Sequence, residues 1–126
     1  MKVVYQNKKG VKIYSKRKIP QKGEYVYFLS FPKLKKDKKK IVKIGTTNDI
    51  MRRMKEHLKY YDTDIVIEWI SKDYRHFTTL RVEENMKELW KQNADWEYMK
   101  NDRFIIPEDE KEIVIKVRKE YMFYIE

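Results

Sequence analysis

Tyr25-Val26-Tyr27-Phe28-Leu29-Ser30-Phe31 and Ile41-Val42-Lys43-Ile44-Gly45-Thr46 are the two stretches that decide the fold. Both are dense in β-branched and aromatic residues, the composition of strands buried in a sheet. Between them runs Pro32-Lys33-Leu34-Lys35-Lys36-Asp37-Lys38-Lys39-Lys40, a lysine-rich segment without apolar period. It reads either as a solvated connection or as a phosphate-contacting loop of a hairpin. The charged segment that follows the second strand changes period. Thr47, Asn48 and Asp49 supply helix-start chemistry, and Ile50, Met54, Leu58 and Tyr61 recur at near-helical spacing, which predicts a helix over 49–60 with one buried face.

Outward from this centre the period keeps switching. Ile65, Ile67 and Trp69 alternate within Asp64–Ile70, predicting a third strand covered mainly on one side. Leu80, Val82, Met86, Leu89 and Trp90 predict a second helix over about 75–93. Arg103–Ile106 reads as a short strand, and Pro107-Glu108-Asp109-Glu110 opens a further helix that continues through Ile113, Val117 and Tyr121. On the N-terminal side, Val3–Tyr5 and Val11–Tyr14 flank Asn7-Lys8-Lys9-Gly10, a turn suited to a hairpin. Pro20 and the surrounding basic residues form a connection. The expected organisation is a β extension over 1–22 and one compact domain over 23–126. Its class is α/β in the α+β sense: a small, mainly antiparallel three-stranded sheet flanked by helices.

Composition restricts the function classes. The 126-residue chain carries 30 Lys+Arg against 20 Asp+Glu, a net charge of +10, which favours polyanionic partners, DNA first and RNA as the other candidate. A basic surface kept for solubility is the plain alternative. Cysteine is absent, so thiolate metal sites, disulfides and cysteine nucleophiles are excluded. No apolar run approaches the roughly 18 residues of a membrane span. The expectation is a soluble cytoplasmic protein without membrane association, intracellular in a host if it is phage or viral.

Tyr25-Val26-Tyr27, Lys43-Ile44-Gly45, Arg53 eight residues after that glycine, His57 one helical turn further and a glutamate on the later helix form a pattern that resembles the GIY-YIG nuclease superfamily, particularly its small phage and viral branch. The resemblance covers about Glu24 to Phe104. It implies metal-dependent cleavage of DNA phosphodiesters, with Mg²⁺ or Mn²⁺ as cofactor. It implies Tyr27 as base or water-positioning phenol, Lys43 and Arg53 as electrophilic stabilisers, and His57 as an assistant in proton transfer or phosphate contact. Glu83 is the implied metal ligand, with Glu84 its competitor. Tyr25, Gly45, Arg52, Lys38, Lys39 and Lys40 are the implied substrate contacts.

The chemistry matches these residue types. Phosphodiester hydrolysis needs a proton acceptor beside water, fixed positive charge for the transition state and a hard cation on the leaving oxygen. A phenol serves as base only if neighbouring cations lower its proton affinity. Arginine forks two donors onto phosphate oxygens as lysine cannot. Lys43 stands where the family more often has tyrosine, and the family's late asparagine has only Asn101 and Arg103 as weak counterparts. Each residue also has a structural reading: Tyr27 as core aromatic, Arg53 and His57 as helix surface, Gly45 as a strand end. Trp69, Trp90 and Trp96 read as core rather than base-stacking platforms. Rival functions are a binding module of the same fold without turnover and a basic protein-interaction domain. Targeting by a partner protein or by homodimerisation would compensate for the absence of a separate DNA-reading module.

Overall fold

A computed structural model describes residues 1–34, 38–74, 76–92 and 96–107. The sequence-predicted helix after Pro107 lies outside the described residues. The element order is β1 (Lys2–Gln6), β2 (Lys12–Ser15), β3 (Tyr25–Ser30), β4 (Lys39–Thr47), α1 (Ile50–Tyr61), β5 (Ile65–Ile70), α2 (His76–Gln92), β6 (Glu97–Met99) and β7 (Arg103–Pro107).

The chain is α+β, with one seven-stranded sheet in the order β1-β2-β5-β3-β4-β7-β6, all pairs antiparallel except β2 with β5. The three-stranded expectation is therefore corrected. Its three strands are the centre, β5-β3-β4, and both of their outer edges are occupied. The N-terminal hairpin does not stand apart: Ile13, Tyr14 and Ser15 run parallel to Ile65, Val66 and Ile67. On the other side β7 covers β4 from Lys39 to Lys43, and β6 covers β7. These additions satisfy backbone groups that a three-stranded sheet would leave open at its edges.

One apolar layer lies on each face of the sheet. Val26, Phe28, Val42, Ile44 and Trp69 pack with Val82, Met86 and Trp90 of α2, joined by Trp96, Phe104 and Ile106. Tyr25, Tyr27, Leu29, Ile65 and Ile67 pack with Ile50, Met54 and Leu58 of α1. The sheet is thus sandwiched between two helices, and β5 is covered on both faces rather than one: Ile65, Val66, Ile67 and Trp69 are all buried. All three tryptophans are buried, as the core reading requires. Leu80, counted among the apolar positions of α2, is instead exposed.

α1 begins one residue later than expected because Asp49, not Thr47 or Asn48, is the N-cap, its side chain accepting the Arg52 amide at 3.2 Å. It ends at Asp62, whose left-handed backbone (φ 50°) returns its N–H to the Leu58 carbonyl. Both caps fix where Arg53 and His57 fall on the helix.

Candidate active site

Tyr27 of β3 and Gly45 of β4 are direct cross-strand partners, and the tyrosine ring lies over the glycine. A Cβ at residue 45 would come within 3.0 Å of the Tyr27 hydroxyl, Cζ and Cε1. The glycine is therefore required by the ring above it, not by an unusual backbone angle. The same face receives α1, which brings two side chains onto the phenol. Tyr27 Oη and His57 Nε2 are 2.7 Å apart, and the Arg53 guanidinium is close enough to favour the ionised phenol.

Burial sets the protonation states. Tyr27 is 1% exposed and His57 7%. Burial, opposed by the Arg53 hydrogen bond and charge, pushes the Tyr27 phenol up to about 12. Burial, reinforced by the Lys43 and Arg53 charges and opposed by Glu56, pushes the His57 imidazole down to about 4. At neutral pH the pair is therefore a neutral phenol against a neutral imidazole. The condition for a phenolic base, a proton affinity lowered by cations or a metal, is not met by the side chains alone, because desolvation outweighs Arg53.

Lys43 reaches the site from β4. It is 7% exposed, and its ammonium donates to the Asn101 carbonyl at 2.5 Å. Burial lowers its proton affinity, while Asp102 and Glu83 oppose that effect. Asn101 and Asp102 occupy consecutive left-handed conformations (φ 65° and 55°), which short polar side chains tolerate. That turn follows β6 and stands beside β4, with the Asp102 carbonyl accepting from the Ile44 amide at 3.2 Å. Asn101 thus enters the site through its main chain, while Arg103 lies over the Tyr61 ring at 5.2 Å.

The acidic corner is formed by α2. Glu83 has a side chain only 13% exposed, and its Oε1 is 3.6 Å from Lys87 Nζ, which also meets Asp102 Oδ1 at 3.3 Å. Although burial opposes it, these two carboxylates raise the proton affinity of Lys87. The Glu83 charge acts on both Tyr27 and Lys43, whereas Glu84 is exposed. Glu83 rather than Glu84 is thus the carboxylate whose charge reaches Tyr27 and Lys43. Among the described residues no group of three or more His, Asp or Glu could hold a metal. The donor set is one half-buried carboxylate, which suits a hard cation that keeps most of its shell as water and substrate oxygen.

Arg53 is the exposed member: its side chain is 44% accessible and its Nη1 is 2.9 Å from Glu56 Oε2. Its proton affinity is raised, the Tyr27 and Glu56 hydrogen bonds overcoming the opposing effect of burial. Arg52 forks to Glu56 at 2.9 Å and to Asn48 at 2.8 Å. Both arginines line a cleft of about 240 Å³ with Thr46, Thr47 and Asn48, at the start of α1.

Other sequence-predicted contacts are placed elsewhere. Tyr25 is buried, and its hydroxyl donates to the Gln21 carbonyl at 2.7 Å, which makes it part of the packing below the main site. Lys38, Lys39 and Lys40 lie at the far end of β4, about 20 Å along the strand from Gly45, beside Ile106 and Pro107 of β7. Lys87 and Asp102 were not anticipated, because their ion pairs join α2 to a distant turn and leave no short-range trace in sequence.

No curated protein and no solved structure matches the chain. A family model does: that of the T5orf172 domain, over residues 24–121. The matched span takes in every residue gathered around Tyr27 and leaves out the N-terminal hairpin. The chain belongs to the T5orf172 domain family, a phage-associated domain of the nuclease-related group.

Proposed function

We propose that this chain is a metal-dependent endonuclease of GIY-YIG type that hydrolyses DNA phosphodiester bonds. The observation that carries the reading is the meeting of Tyr27 and His57 over Gly45, with the charges of Arg53, Lys43 and Glu83 within electrostatic reach of the phenol or the imidazole.

The chemistry follows from the protonation states. A phenol held near 12 is a poor resting base and an imidazole held near 4 a poor proton acceptor, so the pair, joined at 2.7 Å, positions the attacking water, whose proton passes to a substrate phosphate oxygen. Arg53, beside the phenol, exchanges its Glu56 carboxylate for a substrate phosphate oxygen, which places phosphorus near Tyr27. Lys43 adds a buried positive charge for the transition state. Glu83 would hold the Mg²⁺ or Mn²⁺ ion, which when bound supplies charge stabilisation to the leaving oxygen.

The test is nicking of supercoiled plasmid by purified protein with Mg²⁺ or Mn²⁺. Arg53→Ala and Glu83→Ala are each expected to lower the rate by about 10²–10³. Salt-sensitive DNA retention without nicking would assign the chain to the binding-module reading, and nicking that survives both substitutions would refute the site.

A further inference from the structure

Between the N-terminal hairpin and α1 lies a second cleft, of about 530 Å³, lined by Tyr5, Lys8, Lys9, Lys55, Lys59 and Asp62 among others. It places four ammonium groups against one carboxylate. Lys55 and Lys59 are one helical turn apart, a like-charge spacing that is unfavourable on an isolated helix. Asp62 offsets the cluster only weakly, its Oδ1 lying 3.8 Å from Lys9 Nζ with both side chains exposed.

The backbone that carries Lys8 and Lys9 is fixed in spite of that repulsion. Asn7 Oδ1 accepts the Lys9 amide at 3.0 Å and the Val11 amide at 2.9 Å, closing the turn that carries Lys8 and Lys9. Gly10, at φ 84°, completes it. The register shift between Val3 and Tyr5 is a bulge of the kind that re-aims a side chain, and Lys55 Nζ sits 4.6 Å from the Tyr5 ring centroid. A cleft with four ammonium groups against one carboxylate is a poor arrangement for a free protein and a good one for a polyanion.

Its position identifies the polyanion. Arg53 and His57 share one flank of α1, and Lys55 and Lys59 lie about half a turn around the helix, at roughly 100° per residue. The lysine cleft therefore opens on the side of α1 away from the cleavage site, about one helix diameter of 10–12 Å across. The hairpin that supplies Lys8 and Lys9 also precedes the family-matched span, residues 24–121.

We infer that this cleft is a second anchoring site for the phosphate backbone of DNA, separate from the cleavage site and not needed for bond breaking. The inference rests on the reading of the chain as a DNA-cleaving protein. Lys8, Lys9, Lys55 and Lys59 contact phosphates of the substrate beyond the scissile position and fix how the nucleic acid lies across α1.

The experiment uses the full chain and the variant Lys8→Gln/Lys9→Gln/Lys55→Gln/Lys59→Gln. Anisotropy of a labelled duplex of about 20 base pairs is followed from about 50 to 300 mM salt without divalent cation. Each phosphate contact contributes about 0.9 to the slope of log K against log salt, so the slope is expected to fall by about 2–4. Metal-dependent hydrolysis of bis(p-nitrophenyl) phosphate, too small to reach the cleft, is expected to be unchanged, and the Tm no lower than that of the parent. A variant slope within about 0.5 of the parent value overturns the inference while leaving the nuclease reading in place. The same holds if the variant loses binding to poly-glutamate but keeps its DNA slope, which would assign the cleft to an acidic polypeptide. If the parent chain neither binds nor nicks DNA, both readings fall together.

Discussion

Gly45→Ala isolates the packing of Tyr27 from every other property of the site. Residue 45 has ordinary strand backbone, so the substitution adds one methyl group and little else. That methyl would fall within 3.0 Å of three atoms of the Tyr27 ring. The ring is 1% exposed and its hydroxyl is fixed 2.7 Å from His57, so it has no free direction in which to yield. Overpacking of this kind costs about 1–3 kcal/mol, and a broken buried hydrogen bond adds about 1 kcal/mol. A total of about 2–4 kcal/mol corresponds to a Tm lowered by roughly 8–15 °C for a domain of this size. Cleavage should fall by at least about 100-fold, because the phenol no longer meets His57. Urea unfolding of the parent, Gly45→Ala, Tyr27→Ser and the double variant gives the decisive comparison. Without the ring, Gly45→Ala should cost close to nothing, leaving a coupling of about 2 kcal/mol or more. An equal cost in both backgrounds would refute the account of why a glycine stands there.

Two further outcomes follow from the charges around Tyr27. The folded-state His57 value of about 4 lies below the ordinary 6.5, so the unfolded chain takes up this proton first. The stability owed to the neutral imidazole is complete above about pH 6.5 and is lost as pH falls toward about 4, at most about 2–3 kcal/mol; urea unfolding at both pH values should show a larger acid loss in the parent than in His57→Gln, and equal losses would count against the buried neutral pair. Lys87 holds Glu83 and Asp102 at 3.6 and 3.3 Å. Lys87→Gln should tighten Mn²⁺ binding about five-fold, since a half-buried ion pair of about 1 kcal/mol no longer competes for Glu83, and weaker binding on calorimetric titration would show instead that the ammonium positions that carboxylate for the cation.

Local signals were the most readable part of this chain. Alternation located β3, β4, β5 and β7, and the 3.6-residue period located α1 and α2 to within a residue or two. Arg53 and His57 stand where they do relative to Gly45 because one strand end and a capped helix connect them without help from distant residues. What stayed hidden depends on pairing across long separations. The parallel contact of β2 with β5 joins residues 13–15 to 65–67, and nothing in either segment names the other. β6 is three residues long, too short for any period to register. Glu83 and Glu84 are neighbours in sequence, and only the rotation of α2 against the sheet separates a half-buried carboxylate from an exposed one. Tyr25 looks as suitable as Tyr27 in the motif, yet its hydroxyl is taken by the Gln21 carbonyl. The protonation state of Tyr27 was not legible for a related reason: composition reveals the cations nearby but not the depth of burial that outweighs them.

The turn at Asn101 and Asp102 has a consequence for the order in which the candidate site is completed. Tyr27, Lys43, Arg53 and His57 leave the ribosome well before Glu83, and the carbonyl that steadies Lys43 arrives only with residue 101. β5 must also thread between β2 and β3 before the central strands are complete. Contacts of such sequence separation form slowly, after local helices and hairpins. On the nuclease reading proposed above, a half-made chain carries its basic residues early and its complete set of reacting groups late, so the growing chain is equipped to hold nucleic acid before it is equipped to cut it.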